Sequence, residues 1–325
     1  MGTRAMFPAA ARRTGIYESF YLRAFSPSEP VGVWIRYTVR KAPGASPSGS
    51  LWFTLFDSRR GAPVMNKLAG APLSVPAGAW IGVGESTIGP SGAVGSCGQD
   101  SWELAFEECE PALRHLSPRW LYRAPLPRTK LTTPAPTALL SGTVRCGDGR
   151  ELTLARWPGM LGHNWGSEHA ARWIWLHATG FDDDRHAWLD LALGRVMILG
   201  AMTPFIASGA LSIDGRRHRL GGIGARPSVV REGAEGCEVH VRGEEGMAVA
   251  IRARVPDGSA AGWRYADPAG ALHDVVNCSV AEAELEVVQG GPAGMRRLRC
   301  DHGCAYELGM REHDHGVAIA PFPDD

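Results

Sequence analysis

One stretch of the sequence alternates strictly between two kinds of side chain: RWIWLHAT, residues 172–179. Because successive side chains of a β-strand point to opposite faces, Trp173, Trp175 and His177 share one face and aliphatic residues occupy the other. The aliphatic face is typical of an ordinary core. The indole and imidazole groups need hydrogen-bond partners wherever they are buried, and a ligand cavity lined by this face meets that need. Tryptophans that only fill a barrel or cap its end are the alternative interpretation.

The same division of faces recurs on two other predicted strands. In HAWLDLAL, Trp188 and Asp190 lie opposite three leucines, and in VGVWIRYTVR, Trp34 lies opposite aliphatic residues. A carboxylate on such a strand needs donors if it is buried. Asp190 is therefore interpreted either as a functional carboxylate or as the buried ion-pair partner of Arg172 or Arg195.

Short alternating segments recur from residue 31 to residue 308, whereas helical periodicity is almost absent. The 41 glycines and 23 prolines are typical of a chain with many turns. A stretch rich in Pro, Arg and Thr, residues 118–136, is interpreted as a linker. We therefore predict an all-β protein of two antiparallel β-barrels packed together, with domains over residues 1–140 and 141–325. Closure into a barrel is expected because it leaves no unpaired strand edge.

Charge and composition argue against several classes of partner. Lys+Arg and Asp+Glu number 34 each, so no excess of positive charge favours nucleic acid or an anionic membrane. No window approaches the roughly 20 apolar residues of a membrane-spanning helix, and the first residues lack the apolar run of a signal peptide. The seven cysteines show no disulfide spacing, which is typical of reduced thiols. We expect a cytoplasmic protein, and the sequence leaves its oligomeric state open.

The residues before the quoted strand carry a motif. Residues 159–166 read GMLGHNWG and are interpreted as a loop whose glycines give backbone freedom around His163, Asn164 and Trp165. Together with the following WIW, the motif resembles the Asp-His-Asn-Trp-Gly element of the carotenoid 1,2-hydratase (hydroxyneurosporene synthase) family. That broad group includes isoprenoid hydratases, a tocopherol cyclase branch and fungal enzymes that promote cycloadditions. This chain departs from the motif at Gly162, where the family's acid is expected.

The resemblance implies a fold and a chemistry. The implied fold is a pair of lipocalin-like (calycin-type) barrels, and the implied substrate is an apolar, polyene-like molecule that is hydrated, cyclised or isomerised by acid catalysis. An acid among apolar side chains has a raised pKa, and each well-placed indole would stabilise a developing cation by about 1 to 2 kcal/mol. The candidate catalytic residues are His163, Glu168, Asp190 and Glu18. The candidate ligand-binding residues are Asn164, Trp165, Trp173, Trp175, His177, Trp188, Trp34 and Tyr21.

Other functions use the same features. A lipocalin-like carrier would hold a hydrophobic small molecule without turnover, and a carbohydrate-binding protein would present tryptophans as platforms. For an enzyme, the choice between a hydratase (a lyase) and a cyclase or isomerase stays open. We expect no cofactor and no metal, because His163, His169 and His177 lack the spacing of a helix-borne zinc pair. The expected partner is a hydrophobic small molecule, with no nucleic acid and no integral membrane segment.

Overall fold

The computed structural model describes residues 2–198, 200–222, 224–289 and 294–323, and its regular structure is almost entirely β-strand. Among the described residues, three short 3-10 helices, Phe7–Ala9, Arg119–Tyr122 and Glu244–Gly246, accompany the strands. Within the described ranges, no helix has the length and apolar character needed to cross a membrane. The predicted all-β fold is confirmed.

The first antiparallel sheet contains twelve strands. They are β1 (Ile16–Phe25), β2 (Val31–Lys41), β3 (Ser48–Asp57), β4 (Val64–Ala71), β5 (Leu73–Ser74), β6 (Ile81–Val83), β7 (Ser86–Ile88), β8 (Gly92–Cys97), β9 (Asp100–Glu108), β10 (Leu113–Arg114), β11 (Thr129–Arg145) and β12 (Glu151–Gly166). Their order is β4-β3-β2-β1-β12-β11-β9-β8-β7-β6-β5, with β10 paired to β11. The two ends of this order, β4 and β5, are separated in the chain by Pro72 alone, so the sheet curls round until its edges approach each other.

The second antiparallel sheet contains ten strands and is accompanied by a small hairpin. The sheet strands are β13 (Arg172–Thr179), β14 (Trp188–Arg195), β17 (Ile206–Ile213), β18 (Arg216–Gly221), β19 (Ser228–Gly233), β20 (Gly236–Arg242), β21 (Ala248–Arg254), β22 (Ala261–Ala266), β23 (Leu272–Val288) and β24 (Met295–Met310), and the hairpin is formed by β15 (Met197–Ile198) and β16 (Ala201–Met202). The order is β18-β17-β14-β13-β24-β23-β21-β20-β19, with β22 paired to β23. A bridge between Leu220 of β18 and Gly243, just after β20, nearly closes this sheet into a barrel.

The alternation of faces explains where the core sits. β13 spans the predicted residues, and its aliphatic side chains point into the second barrel with those of β14. Ile174 and Leu191 are fully buried there, as Phe20, Val33 and Leu161 are in the first barrel. Burial of one such side chain stabilises the fold by about 1.5–3 kcal/mol. The inward faces therefore form two packed cores, which leaves the aromatic outward faces to meet between the sheets.

Arg23 of β1 ties the two sheets together. Its guanidinium is fully buried and donates hydrogen bonds to the carbonyl oxygens of Ser279 and Gly303, at 3.1 Å each, and to that of His177 at 3.2 Å. Burial lowers the pKa of Arg23 to about 10, so the side chain is still charged near neutral pH. Backbone carbonyls of three strands in the second sheet thus solvate a cation of the first.

Two local expectations are wrong. Residues 159–166 are not a loop but the end of β12, paired along their length with β1. Part of the expected linker, residues 129–136, belongs to β11, where Pro134 and Pro136 coincide with shifts of register against β12. A proline cannot donate to the ladder, and a bulge in the strand accommodates it. In both places, a glycine or a proline lies inside a strand instead of ending it.

The chain passes from one sheet to the other between Gly166 and Arg172. Residues 140 and 141 are neighbours within β11, which pairs with β12 on one side and β9 on the other. The division into domains 1–140 and 141–325 stays a prediction.

Candidate ligand cavity

A cavity of about 420 Å³ lies where the outward faces of the two sheets meet. Tyr21 of β1 and Arg36 of β2 line it from the first sheet, and Trp173, Trp175 and Glu307 line it from the second. Small-molecule sites have volumes of roughly 300–1,000 Å³. The sequence left open whether a barrel or an interface holds the ligand, and the structure places this cavity at the interface.

Two glycines make room for the aromatic wall. Tyr21 pairs across the sheet with Gly162 of β12, and Trp173 pairs with Gly309 of β24. A Cβ at position 162 would lie 2.5 Å from the Tyr21 hydroxyl oxygen and nearer still to two ring carbons, and a Cβ at position 309 would overlap the Trp173 indole. The ring of Tyr21 therefore occupies the space in which the resemblance implies an acidic side chain.

Glu307 anchors the aromatic wall. Its carboxylate accepts hydrogen bonds from Trp173 Nε1 at 2.8 Å, from the Tyr265 hydroxyl at 3.0 Å and from Asn277 Nδ2 at 3.2 Å. Bonds to a charged acceptor are stronger than those between neutral groups. Glu307 thus holds two cavity aromatics, Trp173 and Tyr265, in one orientation.

His169 lies in the wall and is held by Asp267. Its Nδ1 is 2.7 Å from Asp267 Oδ1, and Asp267 Oδ2 is 2.9 Å from His273 Nε2. The imidazole stacks on Tyr17, with ring centroids 3.8 Å apart, while its Nε2 has no hydrogen-bond partner in the described part of the chain. Burial lowers the pKa of His169 to about 4 against the opposing effect of Asp267. The ring is therefore neutral near pH 7, with a lone pair on Nε2 when Nδ1 carries the proton.

His169, Asp267 and His273 are also the residues that could hold a metal ion. Their donor atoms lie within 4.8 Å of one another. In the structure these atoms hydrogen-bond to one another as an Asp flanked by two histidines. Arg311 Nη2 lies 3.9 Å from Asp267 Oδ2, which adds a positive charge beside the group.

The opening of the cavity has an apolar rim. Four lining residues are 44–49% exposed, which marks them as the mouth: Leu126, Met197, Ile198 and Ile206. Glu168 lies beside them and forms ion pairs with Arg128 and with Arg311, the latter at 2.6 Å. Apolar side chains at a mouth favour the entry of an apolar ligand.

Half of the predicted site residues line this cavity. They are Asn164, Glu168, Trp173, Trp175, Trp34 and Tyr21. Asn164 Oδ1 is buried without a hydrogen-bond partner among the described residues. The roles of these residues stay predictions.

His163 and Glu18 form a pair on the inward side of the first sheet. His163 Nε2 lies 2.7 Å from Glu18 Oε1, and the backbone amides of Met6 and Phe7 donate to the same carboxylate. The imidazole stacks on Phe20 at 4.0 Å and on Trp165 at 4.6 Å. Burial lowers the pKa of His163, against the opposing effect of Glu18. These contacts fasten the N-terminal segment to the barrel.

Asp190 supports the cavity from behind. Its carboxylate accepts hydrogen bonds from Trp175 Nε1 at 3.0 Å and from Thr133, and it lies 3.2 Å from His115 Nε2. Burial raises the pKa of Asp190, but His115, His177 and the hydrogen bond from Thr133 outweigh it and bring the pKa to about 2. The partner is thus His115, whereas Arg172 pairs with Glu232. An ionised Asp190 positions Trp175, and its predicted catalytic role is untested.

The remaining predicted residues are away from the cavity lining. His177 is fully buried, with Nε2 2.7 Å from the Pro136 carbonyl oxygen and Nδ1 2.9 Å from Arg23 Nη1. Trp188 is fully buried with the Arg217 guanidinium 4.8 Å from its ring. His177 joins the two sheets through these bonds, and Trp188 packs in the interior. Both contacts stabilise the fold.

Several residues of the site were not predicted from the sequence, among them Arg36, Tyr265 and Glu307 of the wall and Asp267, which holds His169. Arg36 was predictable, because it lies two residues after Trp34 on the same strand and therefore on the same face. Asp267 and Glu307 lie 98 and 134 residues from their partners His169 and Trp173. No periodicity in the sequence connects such distant positions.

No protein-family model matches the chain. Two sequences of Mycobacterium tuberculosis, the uncharacterised proteins Rv0493c of strain H37Rv and MT0513 of strain CDC 1551, are each 24% identical over 188 residues, which cover 55% of this chain. The chain spans 54% of the length of these relatives.

Three crystal structures share the fold. CghA has a TM-score of 0.62 at 12% identity, with 94% of this chain and 90% of CghA covered. Kievitone hydratase from Nectria haematococca has a TM-score of 0.55 at 9% identity, covering 91% and 89%. An AttH-like protein from Nitrosomonas europaea has a TM-score of 0.54 at 13% identity, covering 95% and 97%. The architecture of the chain is therefore that of AttH-like proteins, CghA and kievitone hydratase, whereas the carotenoid hydratase resemblance stays a prediction.

Proposed function

We propose that the protein is an enzyme that moves a proton in order to hydrate, cyclise or isomerise an apolar small molecule held between its sheets. One observation carries the proposal: two polar groups in the aromatic wall, the Tyr21 hydroxyl and His169 Nε2, have no hydrogen-bond partner among the described residues. Polar groups inside proteins are normally paired. These two unpaired groups, set among aromatic side chains, are placed to meet polar atoms of a ligand.

Tyr21 is the proposed proton donor. Burial raises the pKa of Tyr21 well above its ordinary value, with Asp190 adding to the effect, so the phenol is protonated near neutral pH. After each turnover the proton taken up by the acceptor returns to the phenolate through water, so that neither group is consumed. Its ring covers Gly162, where the family motif has an acid. Tyr21 and Trp175 pack in a T-shaped arrangement, with ring centroids 5.5 Å apart, which restricts the direction of the hydroxyl.

His169 is the proposed proton acceptor. Nδ1–H donates to Asp267, so that Nε2 presents its lone pair, and the Asp267 carboxylate stabilises the imidazolium once the proton arrives. Trp173 and Trp175 offer their π-faces to positive charge that develops on the substrate. Kievitone hydratase, which shares the fold, is a hydratase by name, and this agrees with the proposed reaction class.

Incubation in deuterated water tests the proposal. The purified protein is mixed with isoprenoid alkenes, prenylated phenols and polyene ketones, and mass spectrometry follows deuterium incorporation or addition of water. A general acid or base typically raises the reaction rate by about 10²–10⁴-fold. Tyr21→Phe and His169→Gln are therefore each expected to slow turnover by at least about 100-fold. His240→Gln, at an exposed position, is the matched control and is expected to match wild type.

A carrier function is the second candidate, because the apolar mouth and aromatic wall would bind such molecules without chemistry. Ligands recovered unchanged and free of deuterium, although bound by the wild type, would favour the carrier. Turnover at wild-type rates in both Tyr21→Phe and His169→Gln would refute the assigned roles.

A further inference from the structure

Arg36 is a buried cation in the cavity wall without a carboxylate partner. The side chain is 5% exposed, and no carboxylate of the described residues lies within 4.0 Å of its nitrogens. Its Nε donates to the Ser19 hydroxyl at 2.6 Å, and its guanidinium carbon lies 4.0 Å from the centre of the Tyr265 ring. The two terminal amino groups have no acceptor in the described chain. Ser19 and Tyr265 thus hold the guanidinium in place, while its terminal amino groups face the cavity.

The carboxylates in and behind the cavity wall are already engaged by other groups. Each oxygen of Glu307 accepts a bond from Trp173, Tyr265 or Asn277, and each oxygen of Asp267 is bonded to a histidine. Glu168, at the mouth, is occupied by two other arginines. A buried charge is costly unless it is paired or hydrogen-bonded. For Arg23, which is fully buried, backbone carbonyls supply these bonds, and Arg36 lacks them.

We infer that the ligand of this cavity is an apolar molecule with an acidic oxygen, as a carboxylate, enolate or phenolate, that binds the terminal amino groups of Arg36. The inference rests on the proposed function in taking the same cavity as the substrate site, and it narrows the substrate class. The planar guanidinium presents two parallel N–H donors, which match the two oxygens of a carboxylate or the adjacent oxygens of an enolised dicarbonyl. The hydrocarbon part then lies along Trp173 and Trp175 toward the apolar mouth.

Three test ligands with one hydrocarbon skeleton separate charge from apolar contact: farnesoic acid, methyl farnesoate and farnesol. Binding near neutral pH is followed by the fluorescence of the cavity tryptophans, which requires no turnover. A charged hydrogen bond contributes about 10- to 100-fold in affinity. Wild type is therefore expected to bind the acid at least about 10-fold more tightly than the ester or the alcohol.

Two arginine variants locate the effect. Arg36→Met is expected to remove the preference for the acid and to leave the affinity for methyl farnesoate within about twofold, which also verifies that the cavity is folded. If Arg36→Met does not fold, Arg36→Gln, which keeps a donor for Ser19, serves in its place. Arg128→Met is the matched control, because Arg128 also lines the cavity but is exposed and paired with Glu168.

Equal affinities for the three ligands in wild type would overturn the inference. So would a preference for the acid that survives in the Arg36 variant or disappears in Arg128→Met, since the anion would then be held at the mouth. Either result leaves the deuterium experiment unaffected, because an enzyme or a carrier for neutral molecules could still use Tyr21 and His169. Conversely, acid-selective binding without deuterium incorporation would support the inference and refute the proposed catalysis.

Discussion

Replacing Gly162 by Ala tests whether the Tyr21 ring packs directly against the backbone of Gly162. An alanine Cβ would lie 2.5 Å from the Tyr21 hydroxyl oxygen and closer to the ring, whereas ordinary contacts begin at 3.4 Å. The ring must therefore retreat by at least about 1 Å. Trp175 stands edge-on to it at 5.5 Å, and Met160 packs in the same cluster, so retreat is possible mainly into the cavity.

The expected cost follows from overpacking. An extra methyl group in a packed site destabilises a protein by about 1–3 kcal/mol. The same change should weaken binding of cavity ligands, because the displaced ring takes part of their space. Tyr21→Ala alone removes packing as well, but the double variant gives the new methyl group the space of the lost ring. We expect the double variant to be less destabilised than the sum of the single variants by about 1–3 kcal/mol.

Urea unfolding followed by tryptophan fluorescence measures this coupling for wild type, Gly162→Ala, Tyr21→Ala and the double variant. Gly309→Ala, beneath Trp173, is a parallel case on the second sheet and should behave alike. Strict additivity of the Gly162 and Tyr21 effects, or a Gly162→Ala variant as stable as wild type, would refute the proposed contact.

Two further predictions concern stability. Burial, with Arg23 beside the ring, lowers the pKa of His177 from 6.5 to about 4, so the unfolded chain binds the proton first and stability falls as pH drops from 6.5 toward 4. This one residue accounts for roughly 3 kcal/mol over that pH range. Urea unfolding at a series of pH values should show a shallower slope in His177→Gln, and an unchanged slope would contradict the assignment. Asp190→Ala removes the acceptor of Trp175 Nε1 and the charged partner of His115, and it should lower the free energy of unfolding by about 3–5 kcal/mol at neutral pH. A decrease of less than about 1 kcal/mol in the same assay would contradict this prediction.

The strands of this fold are largely predictable because alternation is a local signal. β13 covers the predicted residues 172–179, and β2 differs from its predicted bounds by one residue. Residues 159–166 are a strand and not the predicted loop, because Gly162 does not serve backbone freedom. Gly162 instead leaves space for the ring of Tyr21, its cross-strand neighbour. Tyr21 is 141 residues away in the chain, so no local pattern in the sequence connects the two.

The site was predictable only in part. Trp173 and Trp175, which were chosen from the aromatic face of β13, line the cavity, and their role in ligand binding stays a prediction. The hydrogen-bonding groups behind them, Asp267 and Glu307, come from distant strands and turns, and their partners are set by how the sheets pack. Conversely, His163 had a motif but lies on the inward side of its strand, because the side-chain period of two separates it from its neighbours Gly162 and Asn164.

The central claim is that an apolar ligand binds between the two sheets, and filling that space tests it most directly. Ala192 of β14 lines the cavity beside Tyr21 and Trp175, whereas Ala248 of β21 is exposed and outside the lining. Organic extraction of the purified proteins and mass spectrometry measure the bound ligand in wild type, Ala192→Phe and Ala248→Phe, or the uptake of farnesoic acid added to each. We predict that wild type and Ala248→Phe retain the ligand and that Ala192→Phe, still folded by urea titration, loses at least about 10-fold in affinity. Equal ligand content in all three proteins would contradict a binding site between the sheets.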